Sequence, residues 1–338
     1  MIGAPQRSGY NESRMVERVC IVIPAFNDWD SAARLLSDLG SVGQAHGVRF
    51  RVIIIDDAST YNAPDTWQSF DPSSFDSFEI ARLACNLGHQ RAIAVGLVIA
   101  RDELSDCSAV VVMDGDGEDL PNDIPRLLAA STAHPGSVIC ARRARRSEPI
   151  VFRLGYRVYK FMFGSLTGTQ IDFGNFCLIP KTALLAVVSQ AGIWNHLAAT
   201  LTRSRVPLIK IDTARGERYS GRSKMNFISL VVHGLTAVAV YADVALVRLV
   251  LLAMVLAAAA FAGIIATIGI RVATPWPIPG WASDVAGTLS ILLSQAVLIP
   301  AIGVFVVLSL RTARTVVPLM DAKHYVESIR TVFSTSET

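Results

Sequence analysis

The 338-residue chain has only five cysteines, Cys20, Cys85, Cys107, Cys140 and Cys177, and no two of them share a Cys-x-x-Cys spacing. Single, scattered cysteines argue against a zinc site and do not make a disulfide framework. They read as reduced core residues in a reducing compartment. Neither Gly-x-Gly-x-x-Gly nor Gly-x-x-x-x-Gly-Lys-Ser/Thr stands at a strand–helix junction, which argues against a dinucleotide oxidoreductase and a P-loop ATPase. Charge is sparse as well: 17% of residues are charged and the net charge is +3, too little to support a general nucleic-acid role. The first residues are polar and the first apolar run, Val19–Ile23, is short and strand-like, so no secretory signal is expected and the soluble part is expected in the cytoplasm. Histidines are few. His196 and His233 carry no motif, so no catalytic histidine is expected. His89 follows Gly88 at a helix start, where a cap or surface role competes with a contact to a bound ligand.

What is present is apolar. The chain is 51% hydrophobic with mean hydropathy +0.42, and the excess lies beyond about residue 225. Leu249–Ile270 carries no charge, and at about 1.5 Å per residue it reaches roughly 33 Å, enough to cross a bilayer core. Val285–Leu310 is a second charge-free run, with Gln295 and Pro300 inside it. The short loop between them is Pro-rich and carries Trp276 and Trp281 as interfacial anchors. Basic residues flank the pair on the outside: Arg218, Arg222, Lys224 and Arg248 before, Arg311, Arg314 and Lys323 after. That bias predicts both termini in the cytoplasm. Phe227–Tyr241, apolar with Ser229, His233 and Thr236 interspersed, reads as an interfacial amphipathic helix or as an extension of the first span.

The first two thirds alternate strand and helix patterns. Strands are expected at Val19–Ala25, Phe50–Ile55, Phe78–Leu83, Ala109–Met113 and Ser137–Ala141. Helices are expected at Asp30–Leu39, His89–Leu104 and Asp123–Ala130. Continuous Val/Ile runs between helices predict an α/β fold, a mostly parallel sheet covered on both faces. The expected domains are a flexible arm 1–17, a catalytic domain 18–224, the interfacial helix 225–244, two membrane helices within 245–310 and a tail 311–338.

The chemistry concentrates where strands end. Met113-Asp114-Gly115-Asp116-Gly117-Glu118-Asp119 puts four carboxylates directly after a strand, at the sheet edge where ligands of open α/β sheets bind. Oxygen-only ligands suit Mg²⁺ or Mn²⁺, which can neutralise a diphosphate. The alternative is a Gly-rich turn whose acids face water. Pro24-Ala25-Phe26-Asn27 ends the first strand, where exposed backbone can meet a nucleobase. Asp56-Asp57 ends the second, where a carboxylate can accept from a base N–H or a ribose hydroxyl, or else cap a turn. Basic clusters lie at Arg142, Arg143, Arg145 and Arg146 and at Arg215, Arg218, Arg222 and Lys224, suited to phosphates or an anionic leaflet.

Taken in order, Val22–Asn27, Asp56–Thr60, Asn86-Leu87-Gly88, Asp114-Gly115-Asp116, Gly221-Arg222-Ser223-Lys224 and two membrane spans resemble the inverting nucleotide-sugar glycosyltransferases of family 2, with the GT-A fold. The series is most similar to the polyprenyl-phosphate type, that of dolichyl-phosphate mannose synthase and bactoprenol glucosyltransferase. The resemblance implies that Pro24, Ala25, Asn27, Asp56, Asp57 and Asn86 line a uridine or guanosine pocket. It makes Asp116 the metal ligand, with Asp114 near the ribose or metal. Glu118, where relatives often have Gln, is a candidate further ligand. Arg142, with Arg143, Arg145, Arg146 and Arg153 in support, and Arg218, Ser223 and Lys224 of an Arg-x-x-Gly-x-Ser-Lys loop are implied contacts to the acceptor phosphate. The implied reaction is sugar transfer from a UDP- or GDP-sugar to polyprenyl (undecaprenyl) phosphate at the lipid bilayer, with Asp114, Asp116 and Arg142 catalytic. Self-association through the spans is also an expectation. A processive polysaccharide synthase fits less well, because Gln190-Ala191-Gly192-Ile193-Trp194 lacks the Arg of a Gln-x-x-Arg-Trp segment and two spans give little channel. A non-catalytic membrane scaffold would leave the Asp-x-Asp unexplained.

Overall fold

The computed structural model describes residues 17–64, 67, 71–103, 106–143, 160–220, 227–274, 280–312 and 314–335. The elements run β1 (Glu17–Ala25), α1 (Trp29–His46), β2 (Val48–Asp56), β3 (Phe75–Leu83), α2 (His89–Glu103), β4 (Ala109–Val112), α3 (Ile124–Ala133), β5 (Val138–Arg143), a helix α4 over 160–167, β6 (Cys177–Pro180), α5 (Lys181–Val188), α6 (Leu197–Arg203) and β7 (Leu208–Thr213). Then come α7 (Phe227–Ala239), α8 (Ala242–Ala273), α9 (Trp281–Thr312), α10 (Pro318–Asp321) and β8 (Val326–Ser334).

Eight strands form one mixed sheet in the order β7-β5-β6-β4-β1-β2-β3-β8. The pairs β1–β2, β1–β4, β2–β3 and β5–β7 are parallel, and β6 and β8 run against their neighbours. Side chains alternate across each strand. In β1, Cys20 and Val22 join the core under α2, α5 and α6, whereas Val19, Ile21 and Ile23 join the core under α1 and α3. Each fully buried Val or Ile of these runs contributes about 1.5–3 kcal/mol. Helix α2 lies so close that a Cβ on Gly96 would stand 2.4 Å from Val22 Cγ1. Only glycine permits that approach.

Because β1, β2 and β4 are parallel and in register, Ala25, Asp56 and the chain after Val112 emerge at the same edge. That edge collects the candidate residues. The four cysteines Cys20, Cys107, Cys140 and Cys177 are buried and unpaired, and Cys85 is exposed.

Two differences from the sequence reading stand out. The segment after the second span is not a separate tail: β8 pairs antiparallel with β3 along the sheet edge, from Leu83 opposite Val326 to Ser77 opposite Ser334. Its mixed sequence, Val-Glu-Ser-Ile-Arg-Thr-Val-Phe-Ser, suits a half-exposed edge strand and lacks the apolar run that marks a central one. The other difference concerns β6 and β7, which are short or alternating and were absent from the expected strands.

Helix α7 ends at Ala239 and α8 begins at Ala242, so the apolar stretch before the first span is a helix of its own. The break is held by Tyr241, whose ring meets Phe163 of α4 edge-on with centroids 5.9 Å apart and whose hydroxyl donates to Ala199 O at 3.3 Å. Helices α8 and α9 are long and apolar enough to cross a membrane, and their most apolar stretches are 11% and 0% buried. A core helix of a soluble protein would be covered; these present Val255, Ile299 and Phe305 outward. They pack antiparallel, with Gly263 against Leu289 and Gly303 against Leu246. The base of the hairpin is docked on the sheet domain. Arg203 of α6 pairs with Asp243 at 2.7 Å and also donates to Val240 O, and Arg248 donates to Ser165 O at 2.7 Å.

Candidate active site

The acidic turn after β4 is built by its own backbone. Asp114 N–H donates to Asp119 Oδ2 at 3.0 Å, and Glu118 N–H donates to Asp116 Oδ1 at 2.9 Å. Gly117 takes φ +89°, and the Tyr219 ring lies where its Cβ would be. The strap after β7 is zipped onto this turn: Gly216 N–H donates to Glu118 O and Tyr219 N–H to Asp116 O, both at 2.9 Å. Tyr219 is pinned in turn to α1, its hydroxyl donating to Asp38 Oδ2 at 2.5 Å and Arg34 lying 5.0 Å over its ring.

Three arginines answer the four carboxylates. Arg218 reaches Asp116 at 2.6 Å and Glu118 at 3.2 Å, and Arg215 reaches Glu118 at 2.7 Å. Arg143 bridges Glu118 and Asp119, both at 3.1 Å. His89 Nε2 stands 3.2 Å from Asp114 Oδ1. Burial pushes the Asp119 carboxyl up to about 7, helped by Asp114 and opposed by Arg143. Burial also raises Asp116, against the pull of the Glu118 N–H. Burial works the same way on Asp114 and Glu118, but their cations win: His89, then Arg143 and Arg218, hold Asp114 below its ordinary range, and Arg215, Arg143 and Arg218 do so for Glu118. For His89, burial opposes charge, yet Asp114 beside it raises its pKa.

The structure thus brings together Asp114, Asp116, Glu118 and Arg218 of the expected residues. It adds Arg143, Arg215 and His89, which the sequence reading did not assign to the turn, and gives Asp119, a member of the turn from the start, a structural part in it. Arg142 faces elsewhere: it pairs with Asp212 at 2.7 Å and Asp172 at 3.7 Å, beside Lys210. Successive residues of a strand point to opposite faces, so of the two adjacent arginines only one can meet the acids. Arg145, Arg146, Arg153, Arg222, Ser223, Lys224 and Trp276 lie outside the described residues.

At the neighbouring strand ends the acids serve the chain itself. Asp57, nearly fully buried, accepts the N–H groups of Leu87 at 2.7 Å and Gly88 at 2.9 Å, and Asn86 Nδ2 donates to Asp57 O at 3.1 Å. Asp56 accepts the Ser59 N–H at 2.8 Å and pairs with Arg82 at 3.1 Å. Arg82 also holds Glu327 of β8 at 3.1 Å. Asn27, with φ 51°, accepts from Thr60 N–H at 2.8 Å, and Asp57 N–H donates to Ala25 O at 2.9 Å. Pro24 O lies 3.8 Å from the position of a Cβ on Gly115, so the β1 end adjoins the acidic turn.

The turn offers carboxylate oxygens, the ligand type a hard divalent cation takes. Asp114 and Asp116 offer oxygens, and Asp114 Oδ1 is buried with no hydrogen-bond donor. Among the described residues no three ligand groups converge on one point. Arg218 stands on Asp116, and Glu118, an expected ligand, faces three guanidiniums.

Comparison with known proteins bears on this geometry. The undecaprenyl-phosphate 4-deoxy-4-formamido-L-arabinose transferase of Photorhabdus laumondii is 25% identical over 224 residues, 64% of this chain and 65% of that protein. The dodecaprenyl-phosphate galacturonate synthase of Rhizobium johnstonii is 22% identical over 205 residues, 60% of this chain and 59% of that one. The chain therefore spans less than two thirds of the length of these curated relatives. Among solved structures, the glucosyl-3-phosphoglycerate synthase of Mycobacterium tuberculosis, crystallised with Mn²⁺ and UDP-glucose, is similar at TM-score 0.48 and 13% identity, covering 68% of this chain and 79% of that one. Residues 20–187, from β1 through the acidic turn to α5, match the Glycosyl transferase family 2 profile and form a domain of that family.

Proposed function

We propose that the protein transfers a sugar, with inversion, from a UDP- or GDP-sugar to a polyprenyl phosphate such as undecaprenyl phosphate at the cytoplasmic leaflet of a membrane. The observation that carries this reading is the placement of the acidic turn. It lies at the carboxyl edge of the sheet, on the same body as a docked, lipid-suited hairpin, and is zipped to the strap that leads into α7. The polyprenyl-phosphate relatives support it.

A phosphate oxygen of the acceptor attacks the anomeric carbon as the bond to the departing diphosphate breaks. The acceptor is already ionised at neutral pH, so no strong general base is needed. Asp114 and Asp116 would hold a Mg²⁺ or Mn²⁺, which when bound would supply counter-charge for the leaving diphosphate. Arg218 is the exchangeable partner: its guanidinium leaves Asp116 and becomes free for a phosphate, to which it can offer two donors at once. Arg143 and Arg215 keep Glu118 and Asp119 in place while this happens. The loops around Asn27, Asp56, Asp57 and Asn86 shape the nucleoside side, their carboxylates tying the backbone while the backbone edge faces the donor. Arg142, with Arg153, Ser223 and Lys224, belongs to the proposed acceptor side. Both ends of the hairpin return to the sheet domain, through Asp243 and β8, which supports one side for the catalytic part and the C-terminal segment. Assembly of copies through the spans is part of the same proposal.

The test is transfer of labelled sugar from a panel of UDP- and GDP-sugars to undecaprenyl phosphate by the purified protein. A lipid-extractable, monoglycosylated product is expected. A long polymer, or no turnover with any donor and divalent cation, defeats the reading.

A further inference from the structure

Arg82 stands near the end of β3, across from Asp56 of β2 on one side and Ser328 of β8 on the other. Its guanidinium donates in three directions: Nη1 to Asp56 Oδ2 at 3.1 Å, Nη2 to Ser59 O at 3.3 Å and Nε to Glu327 Oε2 at 3.1 Å. The first two bonds grip the turn 56–59 at both ends, and Asp56 Oδ1 closes it from within by accepting the Ser59 N–H. Inside that turn Ala58 has φ +55°, a left-handed backbone that a residue with a Cβ takes only when its surroundings force it. The turn is also stitched to the end of β1, because Asn27 N–H donates to Ser59 Oγ at 2.9 Å and Thr60 N–H returns to Asn27 Oδ1. Arg82 thus braces the backbone edge that the ends of β1 and β2 share.

Glu327 reaches Arg82 through an irregularity in β8. Arg82 is opposite Ser328, but Leu83 is opposite Val326, so Glu327 is the extra residue of a β-bulge. A bulge re-aims a side chain, and here it brings the Glu327 carboxylate to the Arg82 Nε. The chain just before the bulge is seated: Ala84 N–H donates to Tyr325 O at 2.9 Å, and the Tyr325 ring lies 5.2 Å from that of Trp194. The Arg82 side chain is 33% exposed, so without Glu327 its guanidinium is free to swing toward water and loosen its hold on the turn.

We infer that Arg82 is a positioning residue for the nucleotide-sugar donor, setting the shape of the turn that receives the nucleoside, and that Glu327, on the strand after the apolar hairpin, holds Arg82 in that pose. The inference rests on the reading of the Asn27, Asp56 and Asp57 loops as the nucleoside side. It gives the C-terminal segment a part in donor binding besides closing the sheet edge. With Glu327 57% exposed, its ion pair adds little to stability, so the loss of Glu327 is felt at the donor and not in the fold.

The experiment uses the full-length protein in detergent with Mn²⁺. Binding of UDP and of GDP is measured by calorimetry, and transfer is measured with donor and undecaprenyl phosphate varied in turn. Glu327→Ala is expected to leave the thermal midpoint in place. It should weaken nucleotide binding and raise the donor KM about 3-fold to 10-fold, with acceptor KM and kcat within about 2-fold of wild type. Glu327→Gln, which keeps an oxygen for the Nε–H, restores most of the loss. Arg82→Lys keeps the charge but cannot grip in three directions, and should raise the donor KM about 10-fold or more. Unchanged nucleotide binding and donor KM in both Glu327→Ala and Arg82→Lys overturn the inference and leave the proposed function standing. A loss spread equally over donor and acceptor overturns it too, because it marks a merely structural role. Wild-type protein that binds neither nucleotide and transfers no sugar overturns the proposed function as well.

Discussion

The loops after β2 and β4 flank the end of β1 and carry the same kind of residue, yet they behave differently. After β2, both oxygens of Asp57 accept backbone N–H groups and Asp56 holds Ser59 and Arg82. Those acids build the loop. After β4, four carboxylates share three arginines and one histidine, and one oxygen is left without a donor. Those acids are held by charges that a ligand can replace. An Asp at a strand end is therefore a fold residue or a chemistry residue according to what its oxygens already hold, and the two loops separate the cases side by side.

That contrast can be broken by substitution. Asp116→Ala should cost the largest effect, about 100-fold or more in transfer, while thermal unfolding in detergent barely moves, because its main partner Arg218 is partly exposed and can turn to water. Activity within a few-fold of wild type would erase the distinction. Asp57→Ala should do the reverse in kind, leaving two N–H groups near the surface of the core unpaired and lowering stability by roughly 2–4 kcal/mol. A chemical-denaturation curve unchanged by this variant would show that the β2 loop does not depend on its acid. Gly96→Ala tests the frame under both loops. It forces a methyl group into Val22 and Ile55 and should cost about 1–3 kcal/mol without touching an acid.

A further effect expected is one of pH, away from the site. Burial and the neighbouring Glu79 push the Glu103 carboxyl from 4.5 to about 7, against the pull of Arg51. The folded chain then binds more protons than the unfolded one between those values, so this group costs stability progressively as pH rises from about 4.5 to 7, and the cost is constant above. Glu103→Gln should flatten that part of the profile, seen as a smaller difference between denaturation midpoints at pH 5 and pH 8. An unchanged difference would place the slope on other groups.

Much of the sheet was readable because buried parallel strands need continuous apolar runs, and Val19–Ala25, Phe50–Ile55 and Ala109–Met113 have them. Strands β6, β7 and β8 escaped because they are short or half exposed, where the pattern weakens. The spans were readable for the opposite reason, since lipid tolerates an apolar helix on every side. At the site, Asp114 and Asp116 stood out as an Asp-x-Asp after a strand, and Arg218 through the resemblance of its loop, as an expected phosphate contact. Arg143 was visible as a member of a basic cluster and as a supporting candidate beside Arg142 for a phosphate, not as a partner of the acids, and the rule that could have separated the two is the two-residue period of the strand. Arg215 had the same weak signal, and His89 had a position but no assigned partner.

Composition and order thus determined by themselves that the chain would make a covered α/β sheet, place acids at its carboxyl edge and carry two apolar spans. These depend on local periodicity and on the length of apolar runs. The tertiary structure decided which acids are already satisfied, which of two adjacent arginines meets them, and that the segment after the spans returns to complete the sheet. Those choices depend on which atoms lie within about 3 Å across the fold, and residues such as Arg82 and Glu327, far apart in the chain, cannot announce that they meet.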